Sequence, residues 1–178
     1  GERVVGFRAD RVDTHFEGGM TLTDFKTGSP FIKSLKAETA RTQHLTEVRS
    51  GRKLQAAAYA NAEGVEGASG RLLFLKPDVD DARRTASLGR ERSEAALQDV
   101  LSTLLEALDA GVFFPRLVQT KEDAEPHACS RCSVSEACLR GDSGDRIRLR
   151  AFAPGQGRAF AALWRLPDAT EGGKDDGG

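Results

Sequence analysis

Apolar and polar residues change their spacing several times along this chain, and each change marks an element. From Val4 to Val12, and again from Met20 to Phe25, the two kinds alternate around the turn-forming stretch Glu17-Gly18-Gly19. Period two over both runs predicts a β-hairpin. Residues 27 to 50 carry few large apolar residues beyond Phe31, Ile32, Leu35 and Leu45, and read as a long polar connection. Lys53 to Ala62 is rich in helix formers, with Leu54, Ala57 and Ala58 on a buried face and Gly64 and Gly67 past its end. Arg71-Leu72-Leu73-Phe74-Leu75, closed by Lys76-Pro77, has the length and boundary of a buried strand. An edge strand is expected around Thr85-Ala86-Ser87. From Ser93 to Ala110, Leu97, Val100, Leu101, Leu104, Leu105 and Leu108 recur at three- and four-residue spacing ahead of Gly111, which predicts an amphipathic core helix. A short helix is expected from Gly157 to Trp164, and the Gly/Asp-rich stretch from Asp168 reads as a disordered tail.

Composition narrows the class. The chain has 178 residues, 39% of them apolar and 19 of them glycine, which suits one globular domain and excludes collagen-like or wholly disordered architecture. Lys and Arg total 26 against 27 Asp and Glu, so nucleic acid would have to be met by a local patch rather than by an overall basic excess. No apolar run approaches the ~18 residues of a membrane span, and no signal segment opens the chain. A cytoplasmic protein with no membrane partner is expected.

The chemistry concentrates in the hairpin. Its second strand delivers Thr23-Asp24-Phe25-Lys26-Thr27-Gly28, and alternation places Asp24 and Lys26 on one face while Phe25 points to the other and enters a core. Asp10 on the neighbouring strand can reach the same face, so two carboxylates would converge on a hard divalent cation such as Mg²⁺. Such a cation assists in-line attack of water on a phosphodiester, and Lys26 would complement the developing charge. The ordinary alternative is a solvated hairpin face on which Asp10, Asp13, Asp24, Arg8, Arg11 and Lys26 form cross-strand charge pairs.

Gly6-Phe7-Arg8-Ala9-Asp10-Arg11-Val12-Asp13, then Thr23-Asp24-Phe25-Lys26-Thr27-Gly28, then Gln55-x-x-x-Tyr59 together resemble the core of the RecB-like PD-(D/E)xK exonucleases. The resemblance implies an α/β restriction-endonuclease-like fold, a mixed central sheet flanked by helices. It further implies a Mg²⁺- or Mn²⁺-dependent deoxyribonuclease acting on DNA in double-strand-break repair or recombination. Asp10, Asp24 and the Phe25 backbone carbonyl would hold the metal, and Lys26 would be the catalytic lysine. Asp13, eleven residues before Asp24, competes with Asp10, fourteen before; Asp10 is preferred because it directly follows the Gly-Phe-x-x lead-in. Gln55 and Tyr59, four apart, share a helix face. By the resemblance that face closes the site, with Gln55 near the lysine or scissile phosphate and Tyr59 positioning it or the DNA strand.

Cys129, Cys132 and Cys138 form C-x2-C-x5-C, with His127 two residues earlier. An odd, clustered set favours a metal or cluster over disulfides. Zn²⁺ held by the three cysteines and His127 is one solution. The other follows from similarity to the C-terminal staple of AddB-type helicase-nuclease subunits, in which the cysteines hold a [4Fe-4S] cluster whose fourth cysteine lies upstream of the nuclease core. A structural role for such a cluster is the default expectation. The missing fourth cysteine, the missing upstream helix with its first metal ligand, and an opening Gly1 instead of Met together suggest a nuclease core incomplete at its N-terminus. Residues 1–140 are then the nuclease domain, including the cysteine segment 127–139, and 141–178 an extension outside the resemblance. In that extension Arg146, Arg148, Arg150 and Arg158 form a basic segment, expected to be solvated rather than bound to phosphate. A helicase subunit or domain is the expected partner. Competing functions are an inert nuclease-fold DNA-binding scaffold and a zinc-binding interaction module.

Overall fold

The structure is a computed structural model that describes residues 3–112, 132–133, 143–152 and 155–166. The described elements run β1 (Arg11–Thr14), β2 (Met20–Lys26), α1 (Ala37–Arg49), α2 (Gln55–Ala60), β3 (Ala68–Phe74), α3 (Asp81–Arg84), β4 (Thr85–Gly89), α4 (Arg90–Asp109), α5 (Ser143–Phe152) and α6 (Arg158–Trp164). Two compact units divide the chain, one from Gly1 to Leu101 and the other from Ser102 to Asp168. No described helix is long and apolar enough to cross a membrane.

The first unit is built on a four-stranded sheet in the order β1-β2-β3-β4. β1 and β2 are antiparallel, β2 and β3 parallel, and β3 and β4 antiparallel. The hairpin turn uses Gly18 and Gly19, both at positive φ, and His15 N–H donates to the Gly19 carbonyl at 3.1 Å. A parallel pair cannot be joined by a tight turn. The chain between β2 and β3 therefore carries α1 and α2, which pack onto one face of the sheet through two apolar clusters. Ile32, Ala56, Leu72, Phe74 and Ala86 form the first, and Val48, Ala57, Leu88, Ala96 and Leu97 the second.

Gly70 decides how close α2 comes. A Cβ there would lie 1.8 Å from the Ala56 carbonyl oxygen, so only glycine lets β3 touch the helix backbone at this point. The side chains of β3 alternate accordingly, with Ala68, Gly70, Leu72 and Phe74 buried beneath the helices.

Several expectations change. Residues 3–10 form no strand, and the first ladder residue is Arg11. The segment read as a polar connection contains α1, thirteen residues long. Its inward positions are Ala40, His44, Leu45, Glu47 and Val48, and buried His44 and Glu47 hide the stripe from an apolar count. Glu47 is held by Arg52 at 3.2 Å, while the His44 ring stands edge-on to Phe31 at 5.0 Å. Phe25, expected in a core, is 38% exposed, because its face of the sheet carries mostly polar residues, Thr21, Thr23, Ser69 and Arg71, with Leu73 beside it and no described helix cluster over it. Leu108 is also exposed, unlike the other leucines of its helix.

In the second unit, Ala107 and Ala161 are buried, Phe152 and Phe160 pack edge to face at 6.2 Å, and Arg158 pairs with Glu106 at 3.1 Å. α6 matches its expected span; α5 was not anticipated. The stretch expected to be a disordered tail, from Asp168, lies outside the described residues.

Candidate active site

The hairpin register fixes which side chains meet. Arg11 pairs with Thr23 and Asp13 with Thr21. Continuing by one residue sets Asp10 opposite Asp24, and Asp10 N–H donates to the Thr23 carbonyl at 3.0 Å. Asp10 Oδ2 in turn accepts from Phe25 N–H at 2.8 Å, which draws this carboxylate toward the second strand. Asp13 belongs to the opposite face. Its two oxygens accept from Arg11 Nε at 2.6 Å and from an Arg71 guanidinium nitrogen at 2.9 Å, and these partners hold its pKa below the usual carboxylate range.

On the helix-covered face, Asp24 is buried and Lys26 half-buried. Lys26 Nζ lies 2.6 Å from Asp24 Oδ2 and donates to Gln55 Oε1, also at 2.6 Å. Gln55 Nε2 donates to Asp24 Oδ1 at 3.0 Å. Gln55, the first residue of α2, thus uses both ends of its amide to brace the carboxylate and the ammonium. Asp24 Oδ2, although close to the lysine, has no aligned hydrogen-bond donor. A buried carboxylate oxygen left in that state is suited to a cation.

Tyr59, one turn along α2 from Gln55, is 1% exposed. Its hydroxyl donates to the Arg8 carbonyl at 2.9 Å, and its ring packs on Phe7 at 5.1 Å between centroids. Burial, followed by the charges of Asp24 and Asp10, raises its pKa. Asp10, Asp24, Lys26, Gln55 and Tyr59, drawn from three separate stretches of sequence, are therefore gathered at one end of β2. Cys129, Cys138 and His127 lie outside the described residues; Cys132 is described and exposed.

The donor set fits a hard divalent cation in kind. Mg²⁺ takes oxygen ligands and is commonly held by one or two carboxylates, with the remaining positions left to water and substrate phosphate. Asp10 and Asp24 supply two carboxylates, Asp24 with one buried oxygen that lacks an aligned donor although Lys26 Nζ lies 2.6 Å away. Among the described residues, no three His, Cys, Asp or Glu side chains converge into a more complete cage.

Two participants were not singled out from sequence. The Arg8 carbonyl gives no signal, since any residue could supply it. Gly70 does give one: a glycine inside a strand marks close approach of another backbone, and here it brings α2 with Gln55 and Tyr59 down onto the sheet.

A mixed sheet, helices over one face, and an Asp-x-Lys strand facing a second aspartate define a nuclease-type α/β core. The family model described as the PD-(D/E)XK nuclease superfamily matches residues 3–139, and the chain belongs to that superfamily. Membership brings with it nuclease chemistry, DNA as substrate and the divalent metals that these nucleases typically use. No curated protein and no solved structure matches the chain.

Proposed function

We propose that this chain is the hydrolytic module of a divalent-metal-dependent DNA exonuclease of the RecB-like type, working in double-strand-break repair or recombination in the cytoplasm with a helicase subunit or domain. The observation that carries the reading is the Asp24–Lys26–Gln55 constellation with Asp10 on the adjoining strand. Asp10, Asp24 and the Phe25 backbone carbonyl would hold Mg²⁺ or Mn²⁺. When bound, such a cation supplies positive charge to the scissile phosphodiester and to the water that attacks it.

The chain's own residues do the rest. Gln55 fixes the Lys26 ammonium beside Asp24, so the lysine meets the substrate already oriented. Lys26 places a second positive charge where the phosphate becomes more negative during in-line attack, and a preset charge costs no reorganisation at that moment. Cover by α2 excludes water from the buried side of the pair, which strengthens both interactions. In the same reading Cys129, Cys132 and Cys138 hold a [4Fe-4S] cluster whose fourth cysteine comes from outside this chain. The support for this is their C-x2-C-x5-C spacing.

Lys26→Ala and Asp24→Ala test the hydrolytic assignment. Each is expected to abolish Mg²⁺-dependent DNA degradation while leaving the circular-dichroism spectrum unchanged; degradation at wild-type rate in both variants refutes it. Iron, sulfide and zinc analysis of anaerobically purified protein tests the cluster, with stoichiometric zinc and no iron pointing to the metal-finger alternative.

A further inference from the structure

Asp10 is carried by a segment that has no ladder of its own, since residues 3–10 lie in no strand or helix. Its position depends on a few contacts made from outside. Asp10 itself uses the Thr23 carbonyl and the Phe25 N–H. Just upstream, Ala9 packs on the cluster of Leu22, Tyr59 and Ala68, Arg8 offers its carbonyl to the Tyr59 hydroxyl, and the Phe7 ring leans on the Tyr59 ring. Of the three residues before Asp10, two touch Tyr59 directly and the third packs on the cluster to which it belongs.

Tyr59 is poorly placed to meet a substrate. It is almost wholly buried, and its hydroxyl donates to the Arg8 carbonyl with the Asp24 carboxylate also within its reach. Half-exposed Phe7 stands against its ring. We propose that Tyr59 is a positioning residue: it clamps the lead-in segment at Arg8 and so holds Asp10 opposite Asp24, without touching DNA. The proposal rests on the reading of Asp10 and Asp24 as the metal-holding carboxylates.

Tyr59→Phe removes the hydroxyl and keeps the ring. Amide hydrogen exchange of the metal-free full chain is the first readout. Loss of one hydrogen bond is expected to speed exchange at the Asp10 and Phe25 amides about fivefold, with β3 amides unchanged. Mn²⁺ affinity, measured by calorimetry, is expected to fall by a similar factor, and affinity for a single-stranded oligonucleotide in chelator to stay the same. Phe7→Leu is expected to act in the same direction, and the double variant to do less than the sum, because both changes loosen one anchor. Loss of oligonucleotide affinity with exchange and Mn²⁺ binding unchanged overturns the clamp in favour of a DNA contact. A uniform rise of exchange across β2 and β3 overturns it in favour of a general packing role. If the wild-type chain binds no Mn²⁺, the metal reading fails while the exchange data still decide the clamp.

Discussion

Asp13 and Asp24 sit on paired strands of one hairpin, each beside a cation, and yet they are held in opposite ways. Asp13 has both oxygens engaged by arginines, on a face where Thr21, Thr23, Ser69 and Arg71 bond to one another. Asp24 is more deeply buried, keeps one oxygen without an aligned donor, and faces a lysine that an amide holds in place. A carboxylate whose oxygens are both met by guanidinium groups is a structural tie. One that is buried and left partly unsatisfied has a place for something more. The two faces of a single sheet thus separate a ladder-stabilising polar layer from a site, and charge alone does not distinguish them.

Gly70→Ala pushes a methyl group into the Ala56 carbonyl, and neither strand nor helix can yield cheaply. It is expected to cost about 3 kcal/mol or more in urea denaturation. Ser87→Ala, exposed on the other face, is expected to be neutral within ~0.5 kcal/mol. Similar losses for both would show that the helix-covered face is not specially tight.

His44 supports the same face from α1. Burial above all, and then the nearby Lys53 charge, lower its pKa to about 4, against the opposing effect of the Lys53 carbonyl. The folded protein therefore prefers neutral imidazole, whereas the unfolded chain takes up a proton below about 6.5. Stability from this group is full above that value and is lost as pH falls from about 6.5 towards about 4, by ~3 kcal/mol in all. His44→Gln is expected to flatten this part of the profile; an unchanged slope would show that other groups produce it.

Smaller effects separate the carboxylates themselves. Gln55→Ala frees Lys26 and Asp24 from their brace and is expected to slow degradation ~10- to 100-fold, about 1.4 to 2.7 kcal/mol of barrier. Asp13→Asn is expected to leave the rate unchanged and lower thermal stability slightly, because only Arg11 and Arg71 lose a charged partner. A large rate loss in Asp13→Asn would erase the distinction between the faces.

Sequence reading reached the part of this picture that depends on local period. Alternation put Asp24 and Lys26 on one side, four-residue spacing put Gln55 and Tyr59 on one side, and the leucine rhythm found α4. Alternation says which residues share a face but not which face is covered, and so Phe25 was sent inward although it is exposed. α1 escaped notice because His44 and Glu47 occupy inward positions that an apolar count ignores. The brace by Gln55 and the hydrogen bond from Tyr59 to Arg8 depend on how closely α2 approaches the sheet, a long-range matter signalled only by Gly70.

Calorimetric titration with Mn²⁺ of the wild type and of Asp10→Asn, Asp24→Asn and Asp13→Asn shows which carboxylates hold the metal. The wild type and Asp13→Asn are expected to bind the ion, and Asp10→Asn and Asp24→Asn to lose it. Binding that survives in Asp10→Asn and Asp24→Asn but disappears in Asp13→Asn would contradict Asp10 and Asp24 as the ligands.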